Sequence, residues 1–294
     1  MSHHHLNADL RRKIRQIEIY TRRLLTSSLV GDSRSAVRGS GFEFDQIREY
    51  RAGDDVRFID WNASARINEL LVKEFIEERS RTIILCVDVS LSSFFGSGTA
   101  DKKQTMAEIA SVLALVAGRG KDRIGLMLFS DTVELYVPPM RGLHHTHRLI
   151  EHLFCHEPAG RQTAINCALE RLVRERQRDA IVFLISDFID DEQAFTRYLP
   201  TAARLYDLIA LRCLDKNERE LPPVGILTIE DRETGEPITV NTSGGAKKLN
   251  AFFDERIGQQ NKLFKKHGIE VVDATPNASF IPDLVRFFRR RMRY

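Results

Sequence analysis

Apolar positions fall into two textures along the chain. Before Thr82 they are scattered, and from Thr82 onward they gather into blocks. Within residues 8–29, Leu10, Ile14, Ile17, Leu24 and Leu25 recur at helical spacing, with Arg11, Arg12, Arg15, Arg22 and Arg23 outside them. That spacing predicts an amphipathic helix with a basic wet face. Residues 31–41 read as a Ser/Gly/Arg connector. Residues 42–79 read as an irregular segment, with strand-like pieces at Phe42–Phe44 and Leu70–Phe75 and a turn at Ala52-Gly53-Asp54-Asp55.

Thr82–Val87 and Ala180–Ile185 are continuous apolar, largely β-branched runs, the texture of strands buried on both faces. Between and after them the pattern predicts helices over Asp101–Gly118, Leu143–Phe154, Thr163–Gln177, Glu192–Leu205, Ala246–His267 and Phe280–Arg291. Further strands are predicted at Asp207–Cys213 and Ile269–Asp273. Hairpins join Arg123–Phe129 to Val133–Val137 and Gly225–Ile229 to Pro237–Asn241. Strands alternating with helices imply an α/β fold whose mostly parallel sheet is wrapped on both sides. The change of texture divides the chain into residues 1–79, a helix plus irregular segment, and 80–294, the α/β domain.

Composition narrows the class. Of 294 residues, 43% are apolar, enough for a packed core and too many for a disordered chain. The longest apolar run, Ile109–Gly118, is shorter than the roughly 18 residues a bilayer span needs. No apolar leader follows the first Met. Cys86, Cys155, Cys167 and Cys213 form no C-x-x-C pair, which fits reduced thiols and a cytoplasmic setting. The net charge of +3 hides basic ends on an acidic body. Residues 1–41 carry eight basic and three acidic side chains, and residues 286–294 carry five arginines and no acid. Basic ends could attract phosphate-rich partners. No aromatic residues interleave with the N-terminal arginines, so nucleic acid is the weaker expectation.

The candidate chemistry lies where the buried strands end. In open α/β sheets, ligands sit beyond the carboxyl ends of the strands. The first buried strand runs out in Asp88-Val89-Ser90-Leu91-Ser92, and the second in Ser186-Asp187-Phe188. A loop at Gly160-Arg161-Gln162-Thr163 can bring a third hydroxyl inward. Carboxylates and hydroxyls are hard oxygen donors suited to Mg²⁺, or to Mn²⁺ or Ca²⁺. Singly, each of these residues is as well explained by helix capping or a turn. Together, in this order and at strand ends, they point to a metal site.

Asp88-x-Ser90-x-Ser92, then Thr163, then Asp187 resembles the metal-ion-dependent adhesion site of von Willebrand factor A-type domains, with all five positions filled. A second resemblance narrows this. Gly39-Ser40-Gly41-Phe42-Glu43-Phe44, then Arg48 to Trp61, then Ser64-Ala65-Arg66 resembles the signature of domain-of-unknown-function family 58, which joins such a segment to a von Willebrand A-like fold. The resemblance implies a protein–protein interaction module. Its partners would be MoxR-type AAA+ ATPases or other von Willebrand A-like proteins, in assembly or stress response. It also implies no established enzymatic activity. Many family members carry N-terminal membrane helices, whereas the N-terminal helix here is basic and amphipathic.

The reading that follows is divalent-metal-dependent binding of a partner protein, with an acidic residue of the partner completing the ion's shell, and not catalysis. Two other classes compete. A metal-dependent hydrolase would need a base near the ion, for which Asp190, Asp191 and Glu192 are the neighbours in sequence. A nucleic-acid-binding factor would use the basic termini and bind with a steep salt dependence. A phosphoryl-accepting aspartate is disfavoured because Ser90 stands where that chemistry places its general acid. His144, His145, His147, His152 and His156 cluster around Cys155, but their spacing fits no structural zinc pattern and reads as a solvated loop and helix face. The charged residues Asp54, Asp55, Arg57, Asp60 and Arg66 predict a hydrogen-bonded lock on an irregular segment, with Trp61 as a packing anchor.

Overall fold

The computed structural model describes residues 38–39, 43–76, 81–94, 101–120, 122–160, 162–177, 179–189, 196–215, 225–230 and 237–291. The helix expected over 8–29, most of the connector, and Asp190, Asp191 and Glu192 lie outside the described residues. The chain divides into two compact units, one within residues 29–80 and the other containing residues 81–294.

The larger unit is built on a six-stranded sheet. Its strands are β4 (Thr82–Asp88), β5 (Arg123–Phe129), β6 (Val133–Met140), β7 (Ala180–Ser186), β8 (Asp207–Cys213) and β11 (Glu270–Ala274). They lie in the order β11-β8-β7-β4-β5-β6, all parallel except β6, which returns antiparallel to β5. β4 is central, and every residue in it is buried. Alternation sends Ile83, Leu85 and Val87 to one face and Ile84 and Cys86 to the other. Helices α2 (Lys102–Arg119), α3 (Leu143–Cys155) and α7 (Ile281–Arg291) cover the first face. Helices α4 (Ile165–Glu175) and α5 (Leu199–Leu205), with the C-terminal part of α6 (Thr242–Lys266), cover the second. β9 (Ile226–Glu230) and β10 (Pro237–Asn241) form a separate antiparallel hairpin. The fold is the expected α/β arrangement, a mostly parallel sheet covered by helices on both faces.

Several expected boundaries move: β6 runs on to Met140, α4 ends at Glu175, α5 begins only at Leu199, and α6 begins at Thr242 and ends at Lys266. α2 does not stop at Gly118 but runs on to Arg119, and Gly120 caps it. Gly118 answers packing instead, because a Cβ there would come 2.6 Å from Thr146 Oγ1 on α3. α4 begins at Ile165, two residues later than expected, which leaves Thr163 in the preceding loop.

The smaller unit is more regular than its sequence pattern. β2 (Glu43–Glu49) and β3 (Leu71–Ile76) pair antiparallel, and β1 (Arg38–Gly39) adds to β3. Between β2 and β3 lies the short helix α1 (Trp61–Ile67), whose Asn62 and Ala63 N–H groups donate to Asp60 Oδ1. Arg48 clamps the turn with two bonds to Asp54, at 2.7 and 2.8 Å, and one to Glu74, at 2.6 Å. A lock of opposite charges is present, but it centres on Arg48, outside the expected set; of that set Asp54 joins Arg48, Asp55 pairs with Arg57, and Asp60 lies 3.2 Å from Lys73. Trp61 is not its anchor: it is 65% exposed, because Asp60 and Ser64, not the indole, tie α1 to its surroundings.

Candidate metal centre

β4 and β7 are adjacent and parallel, so their carboxyl ends deliver Asp88 and Asp187 to one edge of the sheet. Both side chains are buried. The loop leaving β4 is fixed at once, because the Val89 N–H donates to the Phe129 carbonyl of β5. The Ser90 N–H donates to Asp88 Oδ1 at 2.9 Å, which turns the chain back over the carboxylate. The Ser186 hydroxyl donates to Asp88 Oδ2 at 2.7 Å.

Three hydroxyls close the cradle. Thr163 Oγ1 donates to Ser90 Oγ at 2.8 Å, Ser90 Oγ and Ser92 Oγ lie 2.9 Å apart, and Ser92 Oγ and Thr163 Oγ1 lie 3.3 Å apart. A triangle this tight, formed by residues 90, 92 and 163, places three oxygens around one point. Ser90 is buried, while Ser92 and Thr163 are half-buried and form the open side. Four of the five expected residues are thus joined around Asp88, and Asp187 stands on the neighbouring strand end. One further oxygen lies nearby in sequence: Oδ1 of Asn166, in the first turn of α4, is buried without a hydrogen-bond partner.

The loop that carries Thr163 is stapled to the β5–β6 hairpin. Its Ala164 N–H donates to the Ser130 carbonyl at 2.8 Å. The Glu134 carboxylate receives the Ala159 and Gly160 N–H groups, each at 3.0 Å, and His156 Nε2 at 2.6 Å. Burial works to raise the pKa of Glu134, but bonds from Ser130, Gly160, Ala159 and His156 outweigh it and hold the group at about 2. The β7 loop is held as firmly. Phe188 adopts a left-handed backbone, φ 56°, which L side chains seldom take. Its N–H donates to Ser186 Oγ, its carbonyl accepts from Gln260 of α6 at 2.7 Å, and its ring packs edge-on against Phe264.

Electrostatics sets this edge apart. Burial, followed by the nearby Asp187 carboxylate, raises the pKa of Asp88 well above the usual carboxylate range, against the lowering bonds from Ser90 and Ser186. Asp187 Oδ2 accepts from Lys102 Nζ at 2.7 Å. Lys102 was not among the residues expected here. Its signal in the sequence is a lysine opening a helix, where acidic residues are favoured. The donor set suits a hard divalent cation: three hydroxyls and two carboxylates, with no nitrogen or sulfur. Among the described residues no group of three or more His, Cys, Asp or Glu side chains is assembled for a metal. The hydroxyls are therefore essential to any ion held here.

The histidine cluster is not wholly a wet face. His145 is buried and bonds the Ile124 carbonyl at 2.8 Å, while His156 binds Glu134.

Residues 46–262 match the family described as "Protein of unknown function DUF58". The chain belongs to this family. An uncharacterized protein of Mycobacterium tuberculosis is 29% identical over 224 residues, covering 76% of this chain and 70% of that one. Among solved structures, the conserved hypothetical protein BatB from Bacteroides thetaiotaomicron superposes with a TM-score of 0.50 at 15% identity, over 73% of this chain and 100% of that one. A von Willebrand factor type A protein from Catenulispora acidiphila matches with a TM-score of 0.35 at 11% identity, over 48% of this chain and 35% of that one. Among the described residues no helix is long and apolar enough to cross a membrane.

Proposed function

We propose that this DUF58 protein is an interaction module that binds a divalent cation, Mg²⁺ or in its place Mn²⁺ or Ca²⁺, in the cradle of Asp88, Ser90, Ser92, Thr163 and Asp187. An acidic side chain of a partner protein completes the ion's shell. The observation that carries this reading is the hydroxyl triangle of Ser90, Ser92 and Thr163 over the buried Asp88. The buried Lys102 ammonium offsets one of the two carboxylates, so a divalent ion in the cradle would keep a net positive charge that attracts a carboxylate from outside to its open side, between Ser92 and Thr163. The family resemblance supplies the partner class, a MoxR-type AAA+ ATPase or another von Willebrand A-like protein. Buried thiols at Cys86 and Cys213 support a reducing, cytoplasmic setting.

Binding is favoured over catalysis because the carboxylates at this edge are engaged. Asp88 accepts from Ser90 and Ser186, and Asp187 accepts from Lys102 and the Ile189 N–H. Both are assigned as ligands of the ion and not as bases, and the bases named from the sequence, Asp190, Asp191 and Glu192, lie outside the described residues. The test is calorimetric titration with Mg²⁺ and Mn²⁺ of wild type and Asp88→Asn. The amide retains an acceptor for one of the two bonds Asp88 makes, so the variant should fold and lose measurable metal binding. Unchanged affinity in the variant would remove the metal assignment.

A further inference from the structure

Lys102 opens α2, and its side chain is fully buried, with the ammonium paired to Asp187. This placement runs against two preferences. Burial strips an ammonium of its hydration. The first turn of a helix carries partial positive charge, which repels a cation. The helix already has its own N-cap, the Asp101 carboxylate accepting from the Gln104 N–H at 2.7 Å, so Lys102 is not there to cap. What offsets both costs is the pair of buried carboxylates ending β4 and β7. With both ionised they would repel each other across adjacent strands, and one internal cation answers half of their charge. Such a group sits where a divalent ion would draw on the same oxygens.

We propose that Lys102 is the resident counter-cation of this site: it holds Asp187 when no metal is bound, and an entering divalent ion takes Asp187 over from it. The inference rests on the metal reading above. Asp187 then has two positions of use, one on the ammonium and one on the ion. Metal affinity is set below what the five oxygen ligands would give alone, since the ion must compete with a cation that cannot diffuse away. Firm engagement is reserved for the state in which a partner contributes a further anionic ligand.

The experiment is Mn²⁺ titration by calorimetry of wild type, Lys102→Met and Lys102→Gln, with thermal melts in EDTA and in Mn²⁺. Met keeps the length and removes the charge, and Gln also keeps a hydrogen-bond donor for Asp187. Either variant should bind Mn²⁺ about tenfold to a hundredfold tighter than wild type. Each should melt lower than wild type in EDTA and gain more from Mn²⁺. Should Lys102→Met fail to fold, Lys102→Gln decides. A lysine that merely supports the loop would lower the melting temperature and leave Mn²⁺ affinity equal or weaker, and that result overturns the proposal while the metal reading stands. If neither wild type nor variants bind Mn²⁺, the metal reading falls, and this proposal falls with it.

Discussion

Gly160 and Trp61 invert the usual weight of small and large residues. A Cβ at Gly160 would lie 2.2 Å from both Asp131 Oδ1 and Ser130 Oγ, closer than any atoms can pack. Its N–H is committed to Glu134, so the backbone cannot swing aside without losing that bond. Gly160→Ala should therefore destabilise the protein by about 1–3 kcal/mol, as overpacking does, and displace the loop that carries Thr163. Urea unfolding measures the first effect, and loss of metal affinity reports the second. Trp61 stands mostly in solvent. Trp61→Ala should change the urea midpoint by the equivalent of less than about 0.5 kcal/mol, the ordinary cost of a surface substitution. A larger loss would mean that the indole packs against part of the chain outside the described residues.

At the scale of elements, the β5–β6 hairpin acts as a clamp. Glu134 on β6 gathers four donors, three of them from the segment 156–160 that leads to Thr163. Its folded-state pKa of about 2 lies below the ordinary 4.5. The clamp therefore contributes fully above about pH 4.5 and is lost as the pH falls toward 2. Glu134→Gln should be less stable than wild type at neutral pH, and the gap should close as melts are taken from pH 5 down to pH 2. A gap that stays constant with pH would show that the charge of Glu134 plays no part. Elements of this kind were unequally legible in the sequence. β4 and β7 are legible because their apolar runs are short and rich in β-branched residues, as strands covered on both faces are, and their ends then locate Asp88, Ser90, Ser92 and Asp187. The sheet of the smaller unit is legible only in part: the strand-like pieces at Phe42–Phe44 and Leu70–Phe75 fall on the start of β2 and on β3, but the bond from Arg48 to Glu74, 26 residues away, leaves no periodic trace. Lys102 was missed for a related reason. Its partner Asp187 lies 85 residues away, and only the strand order brings them together.

For the molecule as a whole, the distribution of commitments decides what it can offer a partner. The C-terminal arginines look in the sequence like a basic arm. In the fold Arg290 pairs with Glu270 at 2.6 Å, and Arg291 pairs with Asp207 at 2.7 Å and also with Glu270. Cations spent on the body have less to give to phosphate, so the nucleic-acid reading loses part of its basis. The open edge of the cradle is where Ser92 and Thr163 remain half-buried. Of these, Thr163 comes from a loop far in sequence from Ser90 and Ser92 and faces the same triangle, so on the proposed reading its hydroxyl would help close the ion's shell without holding β4 or β7 in place. Thr163→Ala should leave the melting temperature within about 2–4 °C of wild type, as a change of no more than about 1 kcal/mol does in a chain of this size. It should also reduce capture of the endogenous partner by an order of magnitude or more. The measurement is co-purification from the native host in Mg²⁺ and in EDTA, for wild type and variant, with capture expected only for wild type in Mg²⁺. If the partner is recovered equally in EDTA, the ion does not bridge the complex. The contact surface would then lie in the smaller unit, where Val56, Trp61, Ile67 and Leu70 are exposed.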